Sequence, residues 1–133
     1  LFLLDASVWV VAAMENSPRY AEGAAIAQGS APVAALDLTL YEVVNAVGRQ
    51  YRLPGQARML VQVILRTCGE NLGRMDRQLA DETAAVVAEH GLSAYDAAYV
   101  AAARRNGWQL VSLDIRDLVS KGLAVTPDAA LYP

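Results

Sequence analysis

Leu1-Phe2-Leu3-Leu4-Asp5-Ala6-Ser7 opens the chain: four apolar residues, then an abrupt polar turn. A continuous apolar run predicts a short strand covered on both faces, as in a parallel sheet; a half-solvated strand would alternate. Asp5-Ala6-Ser7 is turn and N-cap sequence, and Val8 to Met14 then reads as a helix. The pattern recurs twice. Pro32 to Leu36 predicts a second strand, with Asp37 or Thr39 capping a helix that reaches Arg52. Trp108 to Leu113 predicts a late strand that ends on Asp114, followed by a helix to Lys121-Gly122.

The segments between are helical. Ser17-Pro18 starts a helix to about Gln28, with proline at its first position. Pro54-Gly55 breaks the chain before a helix to about Cys68. Glu70 to Arg74 is expected as a short strand, and Asp76 to Glu89 as a helix closed by Gly91. Ser93 caps the next helix, which ends near Asn106-Gly107, and Leu123 to Val125 is expected as a final strand. Strands alternating with helices predict an α/β fold with a mainly parallel central sheet flanked by helices. No repeat, linker or low-complexity tail interrupts it, so residues 1–133 are expected to form a single domain.

Composition narrows the chemistry. The chain is 55% hydrophobic and 19% charged, enough to bury a core without metal or disulfide staples. Cys68 is the single cysteine, so no disulfide forms within the chain, which fits a reducing, cytoplasmic setting. One histidine, His90, excludes HExxH and Cys/His zinc sites and catalysis by a histidine pair. The longest apolar runs, Val8 to Met14 and Ala97 to Ala103, are far below the ~20 residues that a membrane helix needs. Asp5 stands where a signal peptide would carry a basic residue. The chain opens on leucine, so a few residues are expected to precede it. Net charge is −3, which taken alone argues against nucleic-acid binding.

Four acids sit where an amphipathic pattern would not need them: Asp5 and Asp114 at strand ends, Glu42 among Leu40, Tyr41, Val43 and Val44, and Asp96 at the start of an apolar helix. In a parallel sheet, ligands bind at the carboxyl ends of strands. Buried carboxylates are costly and repel one another. A hard cation with oxygen ligands relieves both problems, and carboxylates without histidine or cysteine favour Mg2+ or Mn2+ over zinc. Such a site can activate water and stabilise charge on a phosphate. Each acid also has an ordinary structural reading: Thr39-x-x-Glu42 and Ser93-x-x-Asp96 fit capping boxes, and Asp5 and Asp114 fit helix caps.

The order of these segments resembles the PIN-domain family, and within it the VapC-type toxins of toxin–antitoxin pairs. Leu3-Leu4-Asp5-Ala6-Ser7-Val8-Trp9-Val10 looks like the family's opening strand and first acid. Leu38 to Ala46 looks like the helix with the second, Glu42, and Leu92 to Ala101 like the segment with the third, Asp96. Leu110-Val111-Ser112-Leu113-Asp114 resembles the strand-end motif, where the family often has threonine at the place of Ser112. The match spans nearly the whole chain. It implies that Asp5, Glu42, Asp96 and Asp114 hold one or two Mg2+ or Mn2+ ions for hydrolysis of an RNA phosphodiester, leaving a 5′-phosphate and a 3′-hydroxyl. It also implies a VapB-like antitoxin partner and a homodimer. The helices from Pro18 to Gln28 and from Asp37 to Arg52, rich in alanine and valine, would either offer the antitoxin helix an apolar groove or simply pack as core.

Around these acids stand supporting candidates. Asp117, one helical turn after Asp114, either joins the site or sits on the surface. Ser7 either hydrogen-bonds Asp5 or a metal-bound water, or acts as an N-cap. Asn45 and Arg49 follow Glu42 by three and seven residues, so a continuous α-helix would put all three on one face. Asn45 would then orient a ligand and Arg49 meet a phosphate, the alternative being an exposed polar stripe. Ser112 either tunes the site or is an ordinary strand hydroxyl. Arg104-Arg105 suits a helix C-terminus better than RNA contact, and Trp9, Trp108 and Tyr99 suit a core better than base stacking.

Two other readings compete. Phosphatases and receiver domains also place aspartates at strand ends. Asp5-Ala6-Ser7 lacks the Asp-x-Asp nucleophile pattern, however, Lys121 is the only lysine, and there is no Gly-rich Gly-Lys-Ser/Thr loop. A PIN-like interaction module would have lost the acids that this chain retains.

Overall fold

The computed structural model describes residues 1–133. Four parallel strands form one sheet: β1 (Phe2–Leu4), β2 (Val33–Leu36), β3 (Leu72–Gly73) and β4 (Gln109–Val111), in the order β3-β2-β1-β4. Leu3 pairs with Ala34 on one side and Leu110 on the other. The chain winds outward from β1 to β3, then crosses back to add β4 beside β1. The topological switch point therefore lies between β1 and β4, the position where open α/β sheets bind ligands.

Each strand is followed by helices: α1 (Ala6–Ala12) and α2 (Tyr20–Ala27) after β1, α3 (Asp37–Val43) and α4 (Pro54–Cys68) after β2, α5 (Arg77–His90) and α6 (Ala94–Asn106) after β3, and α7 (Pro127–Leu131) at the end. Alternate strand residues face opposite ways, and the sheet divides the core accordingly. Leu3, Ala34, Leu36 and Leu110 pack with α5 and α6, while Leu4, Val33, Ala35 and Val111 pack with α1, α2 and α4. Seven consecutive α6 residues, Ala97 to Ala103, are buried. Five are alanine, so the helix can be enclosed without displacing its neighbours. Close approach also explains Gly23 on α2, where a Cβ would lie 2.5 Å from Val11 Cγ2.

The α/β class and parallel sheet are as the sequence predicts, with local differences. The helix expected from Ser17-Pro18 begins at Tyr20. The helix expected to run unbroken to Arg52 changes character after Val43: Val44–Gln50 is π-helical, as is Ile115–Val119 after Asp114. Glu70 to Arg74 shortens to the two residues of β3, after a 3-10 turn. Leu123 to Val125 gives a single bridge, Val125 to Val111. Helix α7, capped by Thr126 with Pro127 in its first turn, was not expected.

Candidate active site

Asp5 leaves β1 at the switch point and does two things at once. Its backbone N–H donates to Val111 O on β4 at 3.2 Å, and its carboxylate caps α1 by accepting from Val8 N at 3.4 Å. Two hydroxyls donate to the same carboxylate, Ser7 to Oδ1 and Ser112 to Oδ2. Ser7 Oγ also accepts from Leu113 N at 3.1 Å, and Ser112 Oγ accepts from Asp114 N at 2.9 Å. The two serines thus stitch the ends of β1 and β4 together around one buried acid. Both sequence alternatives for Ser7 and Ser112 resolve toward Asp5; the α1 cap is Asp5 itself.

Asp114 caps the turn after β4 by accepting from Asp117 N at 2.9 Å. That turn swings Asp117 round to the same side. Oxygens of Asp96, Asp114 and Asp117 all lie within 4.8 Å of one another. Asp96 is held by the N-terminus of α6, where its N–H donates to Ser93 Oγ at 3.1 Å. Capping and clustering are therefore compatible, not rival, explanations of these acids: the cap fixes where the carboxylate points.

Glu42 is positioned differently. The Thr39-x-x-Glu42 box is not formed by Glu42, because Thr39 Oγ1 accepts from Leu36 N at 3.0 Å and the Glu42 carboxylate accepts from Tyr99 Oη at 2.7 Å. Tyr99 Oη also meets Thr39 Oγ1 at 2.8 Å. Tyr99 is one helical turn beyond Asp96 on α6, so one helix supplies an acid and the clamp on another acid. Tyr99 is buried, as expected of a core residue. Its hydroxyl role was missed, because the bond to Glu42 joins residues 57 positions apart and no local spacing signals it.

Asp96, Asp114 and Asp117 form the geometric cluster, Asp5 and Glu42 lie outside it, and electrostatic coupling runs between the two groups. Burial pushes the Asp5 carboxyl up to about 6, against hydrogen bonds from Ser112, Ser7 and Val8, and the Glu42 charge adds to the rise. Burial raises Glu42, with Asp96 adding to it against the Tyr99 hydrogen bond. Burial, then the charges of Asp114 and Asp117, raise Asp96; Lys121 offsets this only in part. Each acid is made harder to ionise by the next, from Asp5 through Glu42 to Asp96. The donor set is all carboxylate oxygen, which suits a hard divalent cation.

The other candidates separate. Asn45 lines an open groove of about 650 Å3 beside Glu42, with Ser7, Gln50 and three tyrosines. Arg49 is exposed and does not line it. The expected shared face assumed α-helical spacing, but the i to i+5 turns of Val44–Gln50 shift the phase, and Gln50 takes the place expected of Arg49. Arg104 pairs with Glu89, and Arg105 with Asp76 and Glu82, tying α6 to α5 rather than facing the acids. Trp9 is buried and Trp108 packs against the core.

A switch-point acid on a parallel α/β sheet, with a cluster of three carboxylates on the same molecule, is an arrangement whose oxygens could take a hard divalent cation. The PIN domain family model matches residues 2–120; the chain belongs to the PIN-domain family. PIN domains are generally nucleases that use divalent metal ions. Solved structures share the fold. A toxin–antitoxin complex from Klebsiella pneumoniae is 20% identical over 96% of this chain and 98% of that one, with a TM-score of 0.71. The sarcin–ricin loop cleaving toxin VapC20 of Mycobacterium tuberculosis is 17% identical over 92% and 95%, with a TM-score of 0.77. FitAcB from Neisseria gonorrhoeae is 20% identical over 96% and 98%, with a TM-score of 0.73. Among curated proteins no match was found. No helix is long and apolar enough to cross a membrane.

Proposed function

We propose that this chain is a Mg2+- or Mn2+-dependent endoribonuclease and the toxin of a toxin–antitoxin pair. The observation that carries the reading is the gathering of carboxylates: Asp96, Asp114 and Asp117 with oxygens within 4.8 Å of one another, and Asp5, Glu42 and Asp96 each made harder to ionise by burial and by a neighbouring acid. Five acids gathered this way weaken the apo-fold unless a cation is their counter-charge. Asp96, Asp114 and Asp117, whose oxygens already lie together, would hold the ion, and Asp5 and Glu42, coupled to them through Asp96, would complete the acidic set expected from the sequence. Bound there, a divalent ion supplies charge neutralisation at a phosphodiester and a lowered pKa for attacking water. The chain's own contribution is orientation. Ser7 and Ser112 fix both oxygens of Asp5, Tyr99 fixes Glu42, and the caps at Ser93 and Asp114 fix the outer acids. Family chemistry leaves a 5′-phosphate and a 3′-hydroxyl.

The antitoxin has a fitting surface. An apolar groove of about 780 Å3 runs between α1, the end of α2, the π-helical segment and α4, with ten of fourteen lining residues hydrophobic. Exposed Met59 and Val63 border it, and the buried Trp9 Nε1 beside it has no hydrogen-bond partner. An amphipathic VapB-like helix would cover the apolar surface and supply an acceptor to that N–H. The groove differs from the one expected between residues 18–28 and 37–52, because α1, the turn that follows it and α4 form most of its wall. A homodimer, the expected assembly, is checked by sedimentation.

The function is tested by incubating antitoxin-free protein with total cellular RNA in Mg2+, Mn2+ or EDTA, alongside Asp5→Asn in Mn2+. Discrete fragments are expected only with metal and only from the wild type. No cleavage in any arm, together with no Mn2+ binding by calorimetry, would overturn the catalytic reading and leave an interaction module.

A further inference from the structure

The sequence offers tyrosine in two telling places. Tyr41 directly precedes Glu42 and Tyr95 directly precedes Asp96. Successive helical residues point about 100° apart, so an acid turned inward leaves its neighbour facing outward. Tyr41 is 78% exposed and Tyr95 62% exposed, and Tyr51, at the end of the π-helical segment, is 56% exposed. These are large apolar rings in water with no core to fill. All three line the groove beside Glu42, together with Asn45 and Gln50. The wider π-helical turns bring Gln50 and Tyr51 round to a groove that begins at Tyr41.

No lysine or arginine lines this groove, and the flanking site is acidic. A polyanion gains nothing there through its phosphates. A nucleobase gains a great deal: three aromatic faces for stacking, and two side-chain amides whose donor and acceptor atoms suit base edges. Bases present such faces only where they are unpaired, because a duplex buries them in its own stack.

We propose that Tyr41, Tyr51 and Tyr95 form a base-stacking rim that selects single-stranded RNA and seats the nucleotides next to the scissile phosphate, with Asn45 and Gln50 reading their edges. This deepens the nuclease reading and rests on it for the phosphate's place. The rim binds bases rather than phosphates, so its contribution is weakly dependent on salt, unlike binding through basic residues.

The test uses the full chain in the Asp5→Asn background with Mn2+, so that no turnover occurs. Fluorescence anisotropy reads binding of end-labelled single-stranded and duplex RNA of the same sequence. Tyr41→Ala, Tyr51→Ala and Tyr95→Ala are each expected to weaken single-strand binding by about tenfold, and the Phe variants to restore it. Duplex binding is expected to be weaker from the start and indifferent to these changes. The salt slope is expected to stay the same in parent and Ala variants. Unchanged single-strand affinity in all three Ala variants, Phe failing as badly as Ala, or equal affinity for duplex would each overturn the proposal. So would a loss of dimer in sedimentation without a loss of RNA binding, which would make the tyrosines a subunit interface. The two readings separate cleanly. Wild type that cleaves, with Ala variants of unchanged KM, leaves the nuclease standing and removes the rim. Tyrosine-dependent binding by a wild type that cleaves nothing does the reverse.

Discussion

The two ends of the acidic site are built on opposite principles. At the inner end Asp5 is 6% exposed, and both its oxygens are taken by serine hydroxyls anchored to β4. At the outer end Asp96, Asp114 and Asp117 are only partly buried. There the carboxylates are steered by capping and turn geometry at the starts of a helix and a π-helical turn. The inner acid is expensive but rigid; the outer acids are cheaper, and water reaches them. The pairing suits a site that must keep one ligand fixed while the rest admit a cation and a substrate. It also predicts that the same substitution will act differently at the two ends.

The largest effect is on turnover. Asp5→Asn keeps the shape, and asparagine still caps α1, but the charge at the switch point is lost. Cleavage is expected to fall by ~1000-fold or more, the several kcal/mol of charge stabilisation that a metal site supplies. Asp96→Asn is expected to fall as far. The two should differ without metal: Asp5→Asn is expected to melt at a higher temperature than wild type, and Asp96→Asn by a smaller increment, because burial weighs more on Asp5. A Asp5→Asn protein that unfolds at room temperature would show Asp5 to be a structural cap first and break the comparison.

The next effect follows from the same burial. The folded pKa of Asp5 lies at about 6, above its ordinary 3.8, so the folded state holds this proton more tightly than the unfolded state. The associated stability is fully present below about pH 4 and is lost as pH rises through 6. Two units correspond to roughly 3 kcal/mol. Glu42 and Asp96 are raised in the same direction. Asp76 is shifted the other way, by the Leu79 N–H and then Arg105, and its contribution cancels when wild type is compared with Asp5→Asn. Metal-free wild type is therefore expected to lose stability between pH 4 and 7 relative to Asp5→Asn, with Mn2+ closing the gap at pH 7. Parallel denaturation curves across that range would show that the inner end carries no such strain.

The inner end was the more legible in the sequence. A strand that stops on Asp5, and another that stops at Ser112-Leu113-Asp114, already imply a common sheet edge, and the parallel fold followed from the same runs. The outer end was harder to read. Asp117 stood between site and surface because its position depends on a π-helical turn, and hydrophobic periodicity does not distinguish i to i+4 from i to i+5 spacing. Arg49 stood between phosphate contact and an exposed stripe for the same reason, and it is exposed. The Tyr99 clamp and the Ser112 bond to Asp5 were open or unseen because both cross long stretches of chain. A contact of that kind comes from how helices and strands pack, not from any local pattern.

Ser112 links the two ends, donating to Asp5 and accepting from Asp114 N. Ser112→Ala removes a hydrogen bond that favours ionised Asp5, so the Asp5 pKa is expected to climb further and Mn2+ affinity to fall by about tenfold. Carbonyl-carbon NMR titration reads the first and calorimetry the second. Ser112→Thr, which keeps the hydroxyl, is expected to restore both. A fall in affinity with no movement at Asp5 would mean that Ser112 acts through the Asp114 turn alone.

Asp117 carries the smallest effect and sharpens the comparison most. Its N–H already serves Asp114, and a substitution leaves that bond in place. Only the carboxylate changes in Asp117→Asn, and it lies at the open end with its side chain 48% exposed. A solvated ligand contributes less than a fixed one, so Mn2+ affinity is expected to fall by only a few-fold. Asp96 should respond even so, because the Asp117 charge is one of the forces that raise its pKa. Asp117→Asn is therefore expected to lower the Asp96 pKa while leaving Asp5 in place. Weaker metal binding with a lowered Asp96 makes Asp117 a member of the site. A lowered Asp96 with unchanged or tighter metal binding makes it a bystander whose charge merely adds repulsion, and narrows the outer end to Asp96 and Asp114.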